Sequence, residues 1–184
     1  KDFMQAGIAQ SEFVAANVGM QVAWSEHMTP YFGKPLKNTK LSVAGAQSCS
    51  EFVISQSGIE GGAVYALGRT LRKNLLAKLD FAPQISAGEL HKMISRRKPK
   101  DSLSNFLRKS VKLDATKRAL FFELTQPIPR DINGLVDAIK DAHLPLMGPC
   151  PMDQAISTAG GVMWNELTPE LMLKSHPGIF CAGE

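Results

Sequence analysis

Two glycine clusters are the residues whose types and spacing could support ligand chemistry. The first, residues 58–62, places three glycines before a predicted helix, where free backbone N–H groups and the helix dipole favour an anion. The same glycines could equally serve only tight packing of a strand against that helix. The second cluster, residues 158–162, could let the backbone approach a flat ligand closely or could simply reverse the chain. The spacing leaves both alternatives open at each cluster.

Other catalytic and metal-binding motifs are missing from the sequence. It contains no G-x-x-x-x-G-K-[ST] phosphate loop, no G-x-S-x-G elbow, no H-E-x-x-H and no G-x-G-x-x-G. The four histidines stand alone, with no partner three or four positions away: His27, His91, His143 and His176. We therefore predict no metal site and assign no catalytic residue.

Positive charge is concentrated between residues 92 and 118, a segment that we call the basic block. It carries +8, whereas the whole chain carries +4. Its ten basic residues are Lys92, Arg96, Arg97, Lys98, Lys100, Arg108, Lys109, Lys112, Lys117 and Arg118. Such a block is typical of a solvated helical face, or of a surface for nucleic acid, anionic lipid or an acidic cofactor. Because Phe106 is its only aromatic residue, we do not expect nucleic acid as a partner.

Composition indicates an ordinary globular protein. The 184 residues are 44% hydrophobic and 21% charged, enough to bury a sizeable core in one or two domains. The apolar runs are shorter than the roughly 20 residues that cross a bilayer, and no signal peptide is recognisable, so we predict a cytoplasmic protein without membrane contact. The three distant cysteines, Cys49, Cys150 and Cys181, are predicted to be reduced, buried thiols.

Local patterns predict strands, then helices, then strands. Residues 21–55 show the alternation of short antiparallel strands, in which residues 41–43 would pair with residues 52–54. A helix is predicted over residues 61–76 and a strand over residues 79–83. The last third is predicted to return to strands, over residues 155–158, 162–164 and 179–182, with a turn at Gly160 and Gly161.

The middle third carries a series of helix N-caps. Ser86 and Glu89 have the spacing of a capping box, and Asp131 would begin a helix that runs to Ala142. Two further helices would begin after Ser102 and Asp114. The fold class that these patterns predict is α+β.

Several motifs together resemble one family. Residues 151–162 (PMDQAISTAGGV) and 177–184 (PGIFCAGE) resemble the C-terminal part of bacterial NAD(FAD)-utilising dehydrogenases, the aminoacetone-oxidase-like FAD-binding flavoproteins. Upstream segments follow that family's order: residues 17–25, 33–37, 58–65, 79–83 and 102–108. Two positions depart from its pattern, Ser50 and Cys150.

The resemblance implies a domain organisation. Residues 1–15 would be a lead-in segment, 16–85 a β-rich barrel-like subdomain, 86–145 a helical subdomain, and 146–184 returning strands that lead to an FAD-binding domain. Such flavoproteins hold FAD on a Rossmann-like segment that this chain lacks. Because the chain opens on Lys rather than Met and stops after an apolar run, we expect it to be part of a larger protein. The resemblance implies that this part is the family's insert region.

The resemblance also implies a function and a set of site residues. The intact protein would be an FAD-dependent oxidoreductase with NAD(P)H as a candidate donor and a small-molecule substrate that the sequence does not identify. The implied cofactor-binding residues are Thr158, Gly160, Gly161, Ala182, Gly183 and Glu184. The alternative is a non-catalytic anion- or nucleic-acid-binding module that uses the basic block.

Overall fold

The computed structural model describes residues 2–98 and 100–183 and divides the chain into two compact units. The terminal unit comprises Lys1–Val18 and Pro151–Glu184, and the central unit comprises Gly19–Cys150. In the part of the chain that is described, no helix is long and apolar enough to span a membrane. The mixture of helices and open antiparallel sheets confirms the predicted α+β class. The four-part division predicted from the sequence remains a prediction.

The strands of the central unit form two antiparallel sheets. Their bounds are β2 Met20–Gln21, β3 Lys34–Leu36, β4 Lys40–Val43, β5 Ala46–Ser48, β6 Phe52–Ser55, β7 Gly58–Glu60, β8 Leu76–Asp80, β9 Ala142–Pro145 and β10 Gly148–Pro149. The five-stranded sheet has the order β10-β2-β7-β6-β3, and the four-stranded sheet has the order β5-β4-β8-β9.

The predicted pairing of residues 41–43 with residues 52–54 is wrong. Strand β4 pairs with β5 and β8, whereas β6 pairs with β3 and β7. The cause is the two-residue turn at Ala44 and Gly45, whose positive φ angles of 46° and 84° match the twist of a tight hairpin. This turn brings β5 to one edge of β4, and β8 takes the other edge.

The first glycine cluster serves strand packing. A Cβ at Gly58 would collide with the main-chain oxygen of Met20 on the neighbouring strand. Gly61 has a φ of 106° and lies against the Cα of Phe52. The N–H of Ala63, in the first turn of the following helix, already donates to the carbonyl of Glu51. The contacts therefore favour the packing interpretation over the anion site.

The helices of the central unit begin where their caps predict. Their bounds are α2 Gly62–Leu71, α3 Ala87–Ser95, α4 Leu103–Lys109, α5 Ala115–Leu124 and α6 Ile132–Lys140. Ser86 and Glu89 form the predicted capping box, and the side chains of Ser102, Asp114 and Asp131 each accept the expected N–H. These three helix starts and the capping box are confirmed.

Two helix ends and one strand differ from the prediction. The helix predicted to reach residue 76 ends at Leu71, because Asn74 bonds back to the carbonyl of Thr70 and β8 begins at Leu76. That strand therefore lies three residues earlier than predicted. The helix predicted to reach Ala142 ends at Lys140, since Ala142 enters β9 and pairs with β8.

One apolar core joins the sheets and helices of the central unit. Phe52, Phe81 and Phe121 are among its fully buried side chains, and the rings of Phe81 and Phe121 meet edge to face at 6.0 Å. Cys150 is buried as predicted, but Cys49 is exposed, which corrects the prediction for that residue. Cys181, in the terminal unit, is only partly buried. All three thiols are free.

A buried carboxylate ties three parts of the central unit together. Asp80, at the end of β8, is only 3% exposed, and its carboxylate lies 2.7 Å from Nζ of Lys140 on α6. The same Nζ donates to the carbonyls of Ala82 and Ile85, in the segment that leads to α3. The carboxylate also accepts the N–H of Ala82. This network fixes β8, α6 and the entry to α3.

The terminal unit is built on a two-stranded ribbon. It contains helix α1 Asp2–Gln5 and the antiparallel strands β1 Gln10–Asn17 and β11 Ser157–Val162, whose pairing is interrupted by two register shifts. The sequence analysis did not predict β1. The turn predicted at Gly160 and Gly161 is wrong, because both glycines lie inside β11: Gly161 pairs with Ser11 of β1, and Gly160 lies at the register shift between Ser11 and Val14. The predicted last strand is also absent, and Phe180 forms only an isolated bridge to Met172.

Removal of the Lys140 amine should destabilise the central unit. Lys140→Met leaves Asp80 buried without its nearest cation, with only Lys40 at 3.9 Å, so the free energy of unfolding should fall by about 3–5 kcal/mol. Lys78→Met is the matched control, because Lys78 pairs with Asp141 at the surface and should change stability by less than about 1 kcal/mol. Urea unfolding monitored by circular dichroism checks both. Equal losses in the two variants would contradict the assigned role of Asp80.

Candidate functional site

Three of the sequence-predicted site residues lie together on β11. Thr158 and Gly160 are exposed to solvent, and Gly161 is buried. The strand is irregular here, because the pairing with β1 shifts register between Ser11 and Val14. The exposed part of β11 presents a hydroxyl group at Thr158 and backbone without a side chain at Gly160.

The conformation of Gly160 has a structural explanation within the chain. Its φ is 116°, and a Cβ there would collide with the main-chain carbonyl of Glu12 on β1. Gly161 has a φ of 91°, and a Cβ there would lie 3.4 Å from the ring of Phe13. The second glycine cluster therefore provides a close approach, as one alternative predicted, but the approach seen here is to β1.

The predicted residues at the C-terminal end are only partly described. Ala182 and Gly183 follow the Phe180 bridge and are exposed, and a Cβ at Gly183 would have no neighbour within 4 Å. Glu184 lies outside the described residues. Within the described ranges, no hydrogen bond or bridge joins Ala182 or Gly183 to β11. That these two segments share a cofactor site stays a prediction.

Sequence reasoning missed the exposed apolar surface of the terminal unit. Trp164 is 80% exposed and Phe13 is 58% exposed. Of the fourteen large hydrophobic residues exposed among those described, eleven belong to this smaller unit: Phe3, Met4, Phe13, Val14, Met152, Ile156, Met163, Trp164, Leu171, Ile179 and Phe180. Exposed apolar side chains in this number are typical of interaction surfaces. The signal in the sequence is weak, because the unrecognised strand β1 and scattered turns carry these residues.

The ribbon also holds an amide without a partner. Nε2 of Gln10, at the start of β1, is buried and makes no hydrogen bond to any described residue. A buried donor of this kind costs free energy unless an acceptor reaches it. In the described part of the chain, no cluster of His, Cys, Asp and Glu could hold a metal ion.

The basic block divides into structural and solvent-facing residues. Lys117 is buried on α5, and its Nζ donates to the main-chain oxygen of Asn38 at 3.0 Å. Burial lowers the pKa of Lys117 from its usual 10.5, and the nearby carboxylates of Asp114 and Asp80 oppose that shift. Arg118 donates to the carbonyl of Leu113. These two cations support the fold, so the block is not one continuous solvated face.

Two hollows lie on the central unit. One has a volume of about 420 Å³ and lies between α3 and α4, where side chains of the basic block form much of its wall. The other has a volume of about 400 Å³ and is lined by Asn38, Thr39, Cys49, Pro83 and Gln84. The charge of the basic block predicted a positive surface at the hollow between α3 and α4, but no pattern in the sequence predicted its concave shape.

Replacement of Gly160 should loosen the ribbon, whereas replacement of Gly183 should not. In Gly160→Ala the new Cβ meets Glu12, and about 1–3 kcal/mol of local stability should be lost. Gly183→Ala is the matched control, because its Cβ enters open space. Amide hydrogen exchange of β1 and β11 measures the difference. If exchange is unchanged in Gly160→Ala, the structural explanation for this glycine is wrong.

The lowered pKa of Lys117 should make its contribution to stability depend on pH. Between the lowered folded pKa and 10.5 the unfolded chain binds more protons than the folded one, so this residue makes the free energy of unfolding rise with pH. The unfolding free energy of the native chain relative to Lys117→Met should therefore increase as the pH is raised from neutrality toward about 10. Urea titrations across that range test it, with Lys92→Met as the exposed control. A difference that stays constant with pH would contradict this assignment.

A comparison with models of protein families identifies the family to which this chain belongs. Residues 14–157, more than three quarters of the chain, match the family model described as the HI0933-like protein barrel and H2TH domain. The match includes the whole central unit, but of the β1–β11 ribbon only residues 14–17 and Ser157. No curated protein matches the chain. The HI0933-like family is associated with FAD-dependent oxidoreductases. The chain therefore belongs to the HI0933-like flavoprotein family, and it contains that family's barrel and H2TH domain.

Proposed function

We propose that this chain is the substrate-capping region of an FAD-dependent oxidoreductase related to the NAD(FAD)-utilising dehydrogenases. The observation that carries the proposal is the match of residues 14–157 to the barrel and H2TH domain of a flavoprotein family. In this role the central unit shapes the space in which a small-molecule substrate meets the flavin. When bound, FAD would supply the redox chemistry, which no residue of this chain provides by itself.

The exposed surface of the terminal unit supports this proposal. Its ribbon buries few of its side chains, and Phe13, Met163 and Trp164 are exposed. A two-stranded ribbon has little stability of its own, so a covering body would stabilise it. We propose that the covering body is the flavin-binding part of the protein. Because the sequence has no G-x-G-x-x-G, that part would also hold the nucleotide end of FAD.

Three residues of the terminal unit present groups that suit contact with a flavin. Thr158 offers an exposed hydroxyl group, and the exposed backbone at Gly183 has open space where a side chain would stand. Nε2 of Gln10 is a donor that still lacks an acceptor among the described residues. We propose that Thr158, Gly160 and Gly161 lie near the flavin ring and that Ala182 and Gly183 let the cofactor chain approach. Glu184 would accept a hydrogen bond from a ribityl hydroxyl.

The electron donor follows from the family resemblance. We propose NAD(P)H, whose nicotinamide would reduce the flavin. The rival function, a non-catalytic anion- or nucleic-acid-binding module, is less well supported as the main role. Two of its ten cations, Lys117 and Arg118, are engaged by main-chain oxygens inside the fold.

The Glu184 carboxylate gives the sharpest test of this proposal. In the intact flavoprotein, Glu184→Ala should weaken FAD retention by about 1.5–3 kcal/mol, the range for a hydrogen bond to a charged group. Flavin release followed by fluorescence measures the change, and Glu170→Ala, an exposed acid of the same unit, is the control. Unaltered FAD affinity in Glu184→Ala would contradict the assigned role.

The 184-residue chain by itself should bind FAD weakly or not at all. The contacts proposed here reach the flavin ring and the ribityl chain, and the nucleotide end lacks its usual helix N-terminus. Purification in the presence of FAD, followed by an absorbance spectrum, checks this. A yellow protein with one flavin per chain would contradict the proposal that another part of the intact protein holds the nucleotide end of FAD.

A further inference from the structure

The hollow between α3 and α4 combines a concave shape with an apolar floor. We call it the basic hollow, and its lining residues are Met93, Arg96, Arg97, Lys98, Asp101, Asn105, Phe106, Lys109 and Ser110. Phe106 is 5% exposed and Met93 is partly buried, so both belong to the packed base of the two helices. Its volume of about 420 Å³ lies within the range of small-molecule sites.

The charges in the basic hollow are not neutralised within the chain. Arg96, Arg97, Lys98 and Lys109 face one acid, Asp101, so the lining carries a net +3. No ion pair to any of these four cations occurs among the described residues. By contrast, other lysines of the central unit do find carboxylates, as Lys140 does with Asp80. The hollow therefore concentrates uncompensated positive charge.

Local hydrogen bonds hold one side of the basic hollow in place. Nη1 of Arg97 donates to the main-chain oxygen of Asp101 at 2.7 Å, and the Asp101 N–H donates to the carbonyl of Lys98. Arg97 is partly buried and uses one of its five donors in this way. The remaining donors of a fixed guanidinium suit the oxygens of a phosphate, which arginine binds in a fork.

The geometry points to a small organic diphosphate with a free terminal phosphoryl group as the ligand, and we propose that the basic hollow binds one through its phosphoryl oxygens. FAD, whose two phosphoryl groups are both esterified, carries less negative charge than such a ligand and should bind there only weakly. A single phosphate monoester carries roughly −1.5 to −2, which leaves part of the +3 unbalanced. Two linked phosphoryl groups match the charge better, and the apolar floor accommodates an organic group.

A polynucleotide fits this surface less well. The exposed positive charge does not continue to the C-terminal end of the block, since Lys117 is buried and Arg118 bonds to Leu113. The ring of Phe106 is covered, so the hollow offers no exposed aromatic face on which bases could stack. The proposal does not rest on the flavin role, and the site would act beside it, by anchoring a phosphorylated substrate or donor.

Calorimetric titration of the 184-residue chain with ADP tests the proposal without any flavin. We expect saturable 1:1 binding, which weakens as salt is raised, and weaker binding of inorganic phosphate and adenosine. Arg97→Gln with Lys109→Gln should reduce ADP affinity by about tenfold or more. Lys92→Gln with Lys112→Gln removes the same charge from the block outside the hollow and should reduce affinity less than about threefold.

Arg96→Gln with Lys109→Gln is a second test pair that leaves the Arg97 hydrogen bond intact, and thermal unfolding verifies that each variant is folded. Absence of saturable ADP binding to the native chain would overturn the proposal. Equal losses in the hollow and control pairs would also overturn it, because the effect would then be one of total charge. Tighter binding of a 12-residue single-stranded DNA than of ADP would assign the surface to a polynucleotide instead.

Discussion

The buried carboxylate of Asp80 is the constraint on which the arrangement of the central unit depends. It lies where β8 ends, and Lys140 connects it to α6 and to the segment that enters α3. An unpaired charge at that depth would cost several kcal/mol, so the strand end, α6 and the α3 entry must stay together. Since α3 forms one wall of the basic hollow, this ion pair also helps to position that positively charged surface.

The two units meet different physical demands. The central unit buries a continuous core and gives its buried charges, Asp80 and Lys117, internal partners, as a domain that folds around its own interior does. The terminal unit leaves most large side chains of its ribbon exposed and holds a buried amide, on Gln10, without an acceptor. These features suit an element completed by another body. Because the family is associated with FAD-dependent oxidoreductases, we propose that this body is the flavin-binding part of the protein. The flavin contacts proposed at Thr158 and Gly183 follow from that proposal.

Local signals in the sequence were sufficient for part of this fold. The caps at Ser86, Ser102, Asp114 and Asp131 depend on residues three positions apart, and all four were confirmed. The predicted pairing of residues 41–43 failed because the turn at Ala44 and Gly45 pairs β4 with β5, and the partner on its other edge, β8, comes from far along the chain. The turn predicted at Gly160 failed likewise, because the contact that requires glycine comes from Glu12, far away in the chain. From the sequence, the basic hollow could be predicted only as a concentration of positive charge, because its shape arises from the packing of α3 and α4.

Hydrogen–deuterium exchange of the intact flavoprotein, with and without FAD, tests the central claim most directly. The claim is that the terminal unit contacts the flavin while the helices α3 and α4 do not. Exchange should slow on flavin binding in β11 and in residues 181–183, and it should remain unchanged over α3 and α4. Exchange in β11 that does not respond to FAD would contradict the account, and protection confined to α3 and α4 would place the cofactor on the other unit.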